Sequence, residues 1–138
     1  MPAPKDLIRE SSTSTGTGSL TLSAVNGHIR FSASSPAGFG TGGSNVFDYF
    51  ISNRSAAEWE RGTGSMSDAN TLVRDTVIAS SNSNSAVNFS AGVKDVVNDI
   101  PAAFQVRGAG AVTDGRVAVF DGASGSLLKQ PTDASGLP

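Results

Sequence analysis

The chain has 138 residues, of which 10 are Lys or Arg and 12 are Asp or Glu, giving a net charge of −2 at neutral pH. This length fits one domain of ordinary size plus an extension. The weakly acidic balance provides no basic surface for sequence-independent binding to nucleic acid, and no apolar run is long enough to span a membrane. The absence of Cys excludes disulfides and thiolate metal sites.

The N-terminal third predicts a short extension followed by strands. Residues 1–5 are Pro-rich and lack the apolar core of a secretory signal peptide. After a Ser/Thr/Gly-rich stretch, apolar and polar residues alternate on both sides of Asn26-Gly27, a dipeptide that favours a two-residue hairpin turn. We therefore predict a β-hairpin over residues 19–33, with His28 exposed just after its turn.

The middle of the chain contains the most apolar predicted strand. In VFDYFISN, alternation places Phe47, Tyr49 and Ile51 on one face, and we expect this face to form the core of a central strand. The next run, AEWERGTGSM, places Trp59 on the face opposite its two glutamates, so Trp59 is predicted to be a core residue. A β-branched run, TLVRDTVIASS, predicts a further strand, and the polar SNSNS at 81–85 predicts a turn.

Seven or eight short strands at this spacing predict an all-β fold, an antiparallel β-sandwich or barrel, over residues 6–107. The composition changes at Gly108, and residues 108–138 are interpreted as an extended C-terminal connector. Its short apolar runs have no obvious partner within the chain, which favours burial among symmetric copies. The predicted oligomerisation residues are Val117, Val119, Phe120, Leu127 and Leu128.

The strongest candidate for chemistry is the acid pair Glu58 and Glu60, which would share one face of a strand. Two carboxylates at about 5–10 Å separation are typical of glycosidases, and a tryptophan often provides a sugar platform. Here Trp59 would face away from both acids. We therefore interpret the pair as solvent-facing carboxylates that flank a core tryptophan.

The remaining candidate motifs lack the context that their chemistry needs. Gly62-Thr63-Gly64 is followed by neither a Lys nor a helix, so a turn is favoured over a phosphate loop. His28 is the only histidine, and G-x-S-x-G is absent, which leaves no serine-hydrolase triad and no zinc site. The aspartates lack calcium-loop spacing. We predict no catalytic, cofactor-binding or metal-binding residue and no enzyme activity.

A carbohydrate-binding surface remains an alternative. The Ser/Thr-rich faces and the scattered aromatic residues Phe39, Tyr49 and Trp59 would suit recognition of a host glycan by a β-sandwich. Sequence alone does not separate a sugar-binding aromatic residue from a core one.

Several strings occur together and in order along the chain: DLIRESSTSTGTGSLTLSA, EWERGTGS, TLVRDTVIASSN and VNFSAGVKDV. Together they resemble a module that recurs in virion proteins of tailed bacteriophages. The string GRVAVFDGASGSLLKQ is similar to the stretch that leads into the trimeric shaft of tail fibres. The resemblance covers most of residues 6–102.

The resemblance implies a non-enzymatic virion protein, assembled in the host cytoplasm, that anchors a tail fibre or spike to the particle as a homotrimer. Its partners would be further copies of itself and other proteins of the tail, baseplate, collar or capsid, and no cofactor. The sequence stops at Pro138, soon after the shaft-like string. The expectation is therefore a fibre base or adaptor whose distal part is another chain.

Overall fold

The computed structural model describes residues 3–99, 119–121 and 127–129. The chain forms two compact units, Met1–Phe104 and Gln105–Pro138. The strands are β1 (Arg9–Ser12), β2 (Leu20–Thr21), β3 (Ser23–Ala24), β4 (Phe47–Asn53), β5 (Trp59–Met66), β6 (Thr71–Ser80), β7 (Lys94–Val97), β8 (Val119–Asp121) and β9 (Leu127–Lys129). Every strand pair is antiparallel and the described residues contain no helix, which confirms the predicted all-β class.

The first unit is a seven-stranded, nearly closed, barrel-like sheet in the order β2-β6-β5-β4-β7-β1-β3. Its two edge strands, β2 and β3, are separated in sequence only by Leu22. Leu20 and Thr21 pair with β6, whereas Ser23 and Ala24 pair with β1. One extended segment therefore bridges both edges of the sheet, which leaves little edge unpaired.

The strand β4 is central, as predicted from its apolar alternation. Phe47, Tyr49 and Ile51 are all buried and belong to one continuous core. The predicted strand at TLVRDTVIASS is present as β6, and residues 81–85 form the expected turn. The buried apolar residues are Ile8, Leu20, Leu22, Phe31, Phe47, Tyr49, Ile51, Met66, Leu72, Val87, Phe89 and Val96.

The predicted hairpin over residues 19–33 is wrong, although its turn forms. Gly27 has a φ of 78°, and the His28 amide donates to the Val25 carbonyl at 3.1 Å. The chain after the turn then pairs with another element: the Ile29 amide donates to Leu7 O, and the Arg9 amide donates to Ile29 O. Contacts with the N-terminal chain outweigh the local hairpin signal.

The second unit contains a β-hairpin in which β8 pairs with β9. Phe120 lies opposite Leu128, and Asp121 lies opposite Leu127. Both predicted apolar runs of the connector thus contribute to paired strands. Val117 and the predicted boundary between residues 107 and 108 lie outside the described residues.

Candidate functional site

Glu60, the second residue of β5, lies in a buried polar cluster inside the barrel. Glu60 is only 1% exposed. Its Oε1 accepts a hydrogen bond from the Tyr49 hydroxyl at 2.8 Å, and its Oε2 accepts from Arg74 Nη1 and from the Val87 amide, both at 2.8 Å. We call Tyr49, Glu60, Arg74 and Val87 the Glu60 cluster.

Arg74 connects this cluster to two segments outside the strands, one at residues 16–18 and one at Val87. Its Nε donates to Gly18 O at 2.9 Å, its Nη2 to Gly16 O at 3.3 Å, and its Nη1 to Val87 O at 3.2 Å. The guanidinium also lies 5.5 Å from the centre of the Phe89 ring. The ion pair therefore holds these segments in place through charge-assisted hydrogen bonds.

Tyr49 acts as a hydrogen-bond donor in this cluster. Burial, together with its hydrogen bond to Glu60, raises the pKa of Tyr49 far above its ordinary value. The hydroxyl consequently keeps its proton and donates a hydrogen bond to the carboxylate throughout the physiological pH range. Each carboxylate oxygen of Glu60 therefore accepts at least one hydrogen bond from the protein.

Glu58 lies apart from this cluster and binds a different loop. It accepts hydrogen bonds from Asn53 Nδ2 at 2.9 Å, from the Ser90 amide at 3.0 Å and from the Ser90 hydroxyl. The Ser90 hydroxyl, and next Asn53, hold the pKa of Glu58 below its ordinary value. The two acids therefore have separate sets of hydrogen-bond partners.

The predicted environments of Trp59 and of the acids were reversed. Trp59 is 47% exposed, and neither Glu60, which is buried, nor Glu58, which is half-buried, is an exposed acid. The alternation itself holds, since Trp59 and Glu60 have opposite burial. The inner face accepts an acid because Arg74 balances its charge and Tyr49 donates a hydrogen bond to it. Neither partner is close to Glu60 in sequence, so the pattern around Glu60 does not indicate them.

The predicted turn at Gly62-Thr63-Gly64 is also wrong, because all three residues lie inside β5. A Cβ atom at Gly62 would overlap the Thr76 carbonyl oxygen and would lie 2.7 Å from the Tyr49 hydroxyl. At Gly64 it would lie 3.2 Å from Tyr49 Cδ1. The glycines therefore provide space for the Tyr49 ring and for the register shifts between β5 and β6.

A second buried acid, Glu10, shows the same design at another position and was missed from the sequence. Glu10 is 0% exposed; its carboxylate accepts from Arg30 Nε at 2.7 Å and from the Phe31 amide at 2.9 Å. Arg30 also donates to Asn70 Oδ1 at 2.8 Å and to Leu22 O at 3.4 Å. Spacing gives no sign of this pair, since 20 residues separate its members.

The other candidate side chains have local structural contacts. His28 is half-buried, and its Nδ1 lies 3.2 Å from Asn26 O across the turn. Asp68 accepts from the amides of Asn70 and Thr71 and from the Thr71 hydroxyl. Within residues 3–99 and the two short strands, no group of three or more His, Cys, Asp or Glu is placed to hold a metal ion. Nor does this part of the chain contain a helix able to cross a membrane.

Among the three aromatic residues considered for glycan binding, only Trp59 is exposed. Tyr49 is buried, and Phe39 packs against the rings of Phe31 and Phe47 at centroid distances of 6.3 and 4.8 Å. Of these three residues, Trp59 is therefore the one whose ring is open to a sugar.

Comparison with known proteins adds no relative to this description. No family model matches the chain, and no curated protein and no solved structure matches it at a significant level.

Proposed function

We propose that the chain is a non-enzymatic structural protein of a tailed-bacteriophage virion, a fibre base or adaptor that attaches a fibre or spike to the particle as a homotrimer. The observation that supports a structural role best is the use of the buried charges. The carboxylates of Glu10 and Glu60 each accept hydrogen bonds from an arginine and from a backbone amide, and these contacts fix loops. The virion assignment rests on the sequence resemblance.

The trimeric part of the proposal rests on the second unit. A two-stranded hairpin such as β8–β9 is only marginally stable in water by itself. Its sequence is apolar at Val119, Phe120, Leu127 and Leu128. Association of three copies would give these strands a core to share, as closed symmetric assemblies commonly do.

Light scattering of the purified chain tests the oligomeric state. We expect a trimer mass that stays constant over a wide concentration range and falls to the monomer mass in the double variant Phe120→Ser, Leu128→Ser. The matched control is Ile78→Ser, which removes an apolar side chain that is 42% exposed on the barrel and should leave the trimer intact. A monomeric wild-type chain would overturn the trimer.

The virion assignment has its own test. A reconstruction of a phage particle that carries this chain should place three copies at each fibre attachment point. Particles that lack the chain but carry complete fibres would contradict the anchoring role.

Exposure of Trp59 favours one second candidate, recognition of a host glycan. The indole lies on the outer face of β5, with Ser52 opposite on β4 and with Ser81 bonded to its backbone on the other side. Large exposed aromatic rings flanked by hydroxyl groups suit the apolar face of a sugar. A glycan array should then show binding that Trp59→Ala abolishes and Ile78→Ala retains, and a blank array would reject this candidate.

A further inference from the structure

A buried lysine lies opposite an asparagine on two neighbouring strands of the barrel. Lys94, the first residue of β7, is 0% exposed, and Asn53, the last residue of β4, is 8% exposed. The two residues are direct partners in the antiparallel register. Directly opposed residues share one face of a sheet, with Cβ atoms about 4.5–5.5 Å apart, so an amine and a carboxamide lie within reach of each other.

The amine of Lys94 is hydrogen-bonded to a backbone carbonyl and is not part of an ion pair in the described part of the chain. Lys94 Nζ donates to Gly92 O at 2.9 Å, and none of the ion pairs among the described residues involves Lys94. A fully buried lysine without an ion pair is rare. Burial lowers the pKa of Lys94, although the negative charge of Glu58 opposes this effect. The neutral, nucleophilic form of the amine therefore forms more readily than on a surface lysine.

The carboxamide of Asn53 is held at both ends. Its Oδ1 accepts from the Ser55 amide at 2.9 Å, and its Nδ2 donates to Glu58 Oε2 at 2.9 Å. A Cβ atom at Gly92 would lie 3.0 Å from Asn53 Oδ1, so the residue whose carbonyl binds the amine also packs against the amide. Gly92 has a φ of +120°, which favours glycine at this close approach.

Glu58 completes the arrangement as a base. Its hydrogen bonds with Ser90 and Asn53 favour the ionised carboxylate, as their effect on its pKa indicates. Because Oε2 already touches the Asn53 nitrogen, a proton collected by Glu58 can be passed directly to that nitrogen. A single backbone donor, the Ser55 amide, faces the oxygen on which negative charge would develop.

We propose that Lys94 and Asn53 form an intramolecular amide cross-link between β7 and β4, with Glu58 as the proton carrier. The neutral Nζ adds to Asn53 Cγ and forms a new carbon–nitrogen bond. Glu58 takes a proton from Nζ and delivers it to Nδ2, the bond between Cγ and Nδ2 breaks, and ammonia leaves. One amide replaces another, so the step needs no oxidant, reductant or cofactor. In the structure the two side chains are separate, on directly paired positions of β4 and β7.

The cross-link would join two strands that share only four paired positions, from Phe50–Val97 to Asn53–Lys94. It would close a covalent loop through β5 and β6 and would hinder separation of the sheet at its centre. This inference is independent of the proposed virion function, since it concerns only the chemistry of the barrel.

Mass spectrometry of the purified full chain provides the test. We expect an intact mass lower than the sequence mass by one ammonia. After trypsin digestion, the peptide Phe31–Arg54 should be linked to Asp75–Arg107, with no cleavage at Lys94. Lys94→Met and Asn53→Ala should restore the full mass, and Glu58→Gln should leave the cross-link unformed or strongly slowed. Lys5→Met, at a lysine of the same barrel outside the cluster, should keep the mass deficit.

Two results would overturn the proposal. One is a folded wild-type chain that yields Asn53 and Lys94 only in separate, unmodified peptides. The other is a loss of ammonia located at Asn26-Gly27, where succinimide formation gives the same mass change without a linked peptide. Both results come from the wild-type protein, so the test stands even where a variant fails to fold.

Discussion

The two faces of β5 carry different residues, and the difference explains how the interior of the barrel is packed. The inner face presents Glu60, Gly62 and Gly64, whereas the outer face presents Trp59 and Arg61. The small residues are inside because Tyr49 fills the space above them. Its buried hydroxyl requires an acceptor, and the acceptor requires a counter-charge, which Arg74 supplies. One inward aromatic ring thus accounts for the glycines, the acid and the arginine.

The largest expected effect follows from removing the charge at the centre of the inner face. Glu60→Ala leaves Arg74, whose side chain is 3% exposed, without its anion, and leaves the Tyr49 hydroxyl and the Val87 amide unpaired. Breaking a buried pair from one side costs about 3–5 kcal/mol. We expect a loss of this size in the free energy of unfolding, measured in urea.

The matched control for this prediction is Asp75→Ala, which removes an exposed acid of β6 whose carboxylate accepts from the Ser65 hydroxyl. It should change the free energy of unfolding by about 1 kcal/mol or less. Equal losses in both variants would show that the inner face does not depend on the ion pair.

The next largest effect tests the space under Tyr49. Gly62→Ala places a methyl group against the Thr76 carbonyl and the Tyr49 hydroxyl, at a position where β5 is paired with a strand on each side. Overpacking of this kind typically costs about 1–3 kcal/mol. We expect a loss near the upper end of that range, because backbone atoms form part of the contact, and thermal denaturation would measure it.

Thr63→Ala is the control for the glycine variant, since it is the neighbouring position on the half-buried outer face. Its expected loss is smaller, at about 0.5–1 kcal/mol. A Gly62 variant as stable as the Thr63 variant would mean that β5 can shift to accommodate a side chain.

Much of the sheet could be predicted from the sequence because its signals are local. Alternation in β4 identified a central strand with Phe47, Tyr49 and Ile51 buried, and the polar run at 81–85 marked a turn. These patterns depend only on neighbouring residues. The same reasoning correctly placed Trp59 and Glu60 on opposite faces of β5.

The assignment of those faces to core and solvent could not be predicted, because it depends on distant partners. A glutamate reads as exposed until Arg74 and Tyr49 are placed beside it, and a tryptophan reads as buried by its size alone. The hairpin failed for the same reason: Ile29 finds its backbone partners at Leu7 and Arg9. Asn53 and Lys94, 41 residues apart, are brought together only by the pairing of β4 with β7.

A smaller effect is expected on the outer face, where Asp95 bonds both Arg54 and Arg9. The Arg54 hydrogen bonds lead the effects that lower the pKa of Asp95 from 3.8 to about 2. The resulting stabilisation is complete above the unfolded pKa and is lost as the pH falls through about 2. After allowance for solvent screening, Asp95→Asn should lose about 1 kcal/mol at pH 7.

Urea denaturation at several pH values measures this contribution. The wild-type chain and the Asp95→Asn variant should converge in stability as the pH falls from 5 towards about 2. A difference that stays constant over this range would assign the loss to packing of the side chain and not to its charge.

The smallest effect should come from the residue that sequence alone assigned to the core. Trp59→Ala removes a ring that is 47% exposed, while its backbone bonds to Ser81 remain. Surface substitutions usually change stability by less than about 0.5 kcal/mol, whereas truncating a buried aromatic residue costs about 3–5 kcal/mol. Phe47→Ala, on the inner face of β4, provides the buried reference. Thermal denaturation of the two variants should therefore separate them widely, and a Trp59 variant as unstable as the Phe47 variant would return this ring to the core.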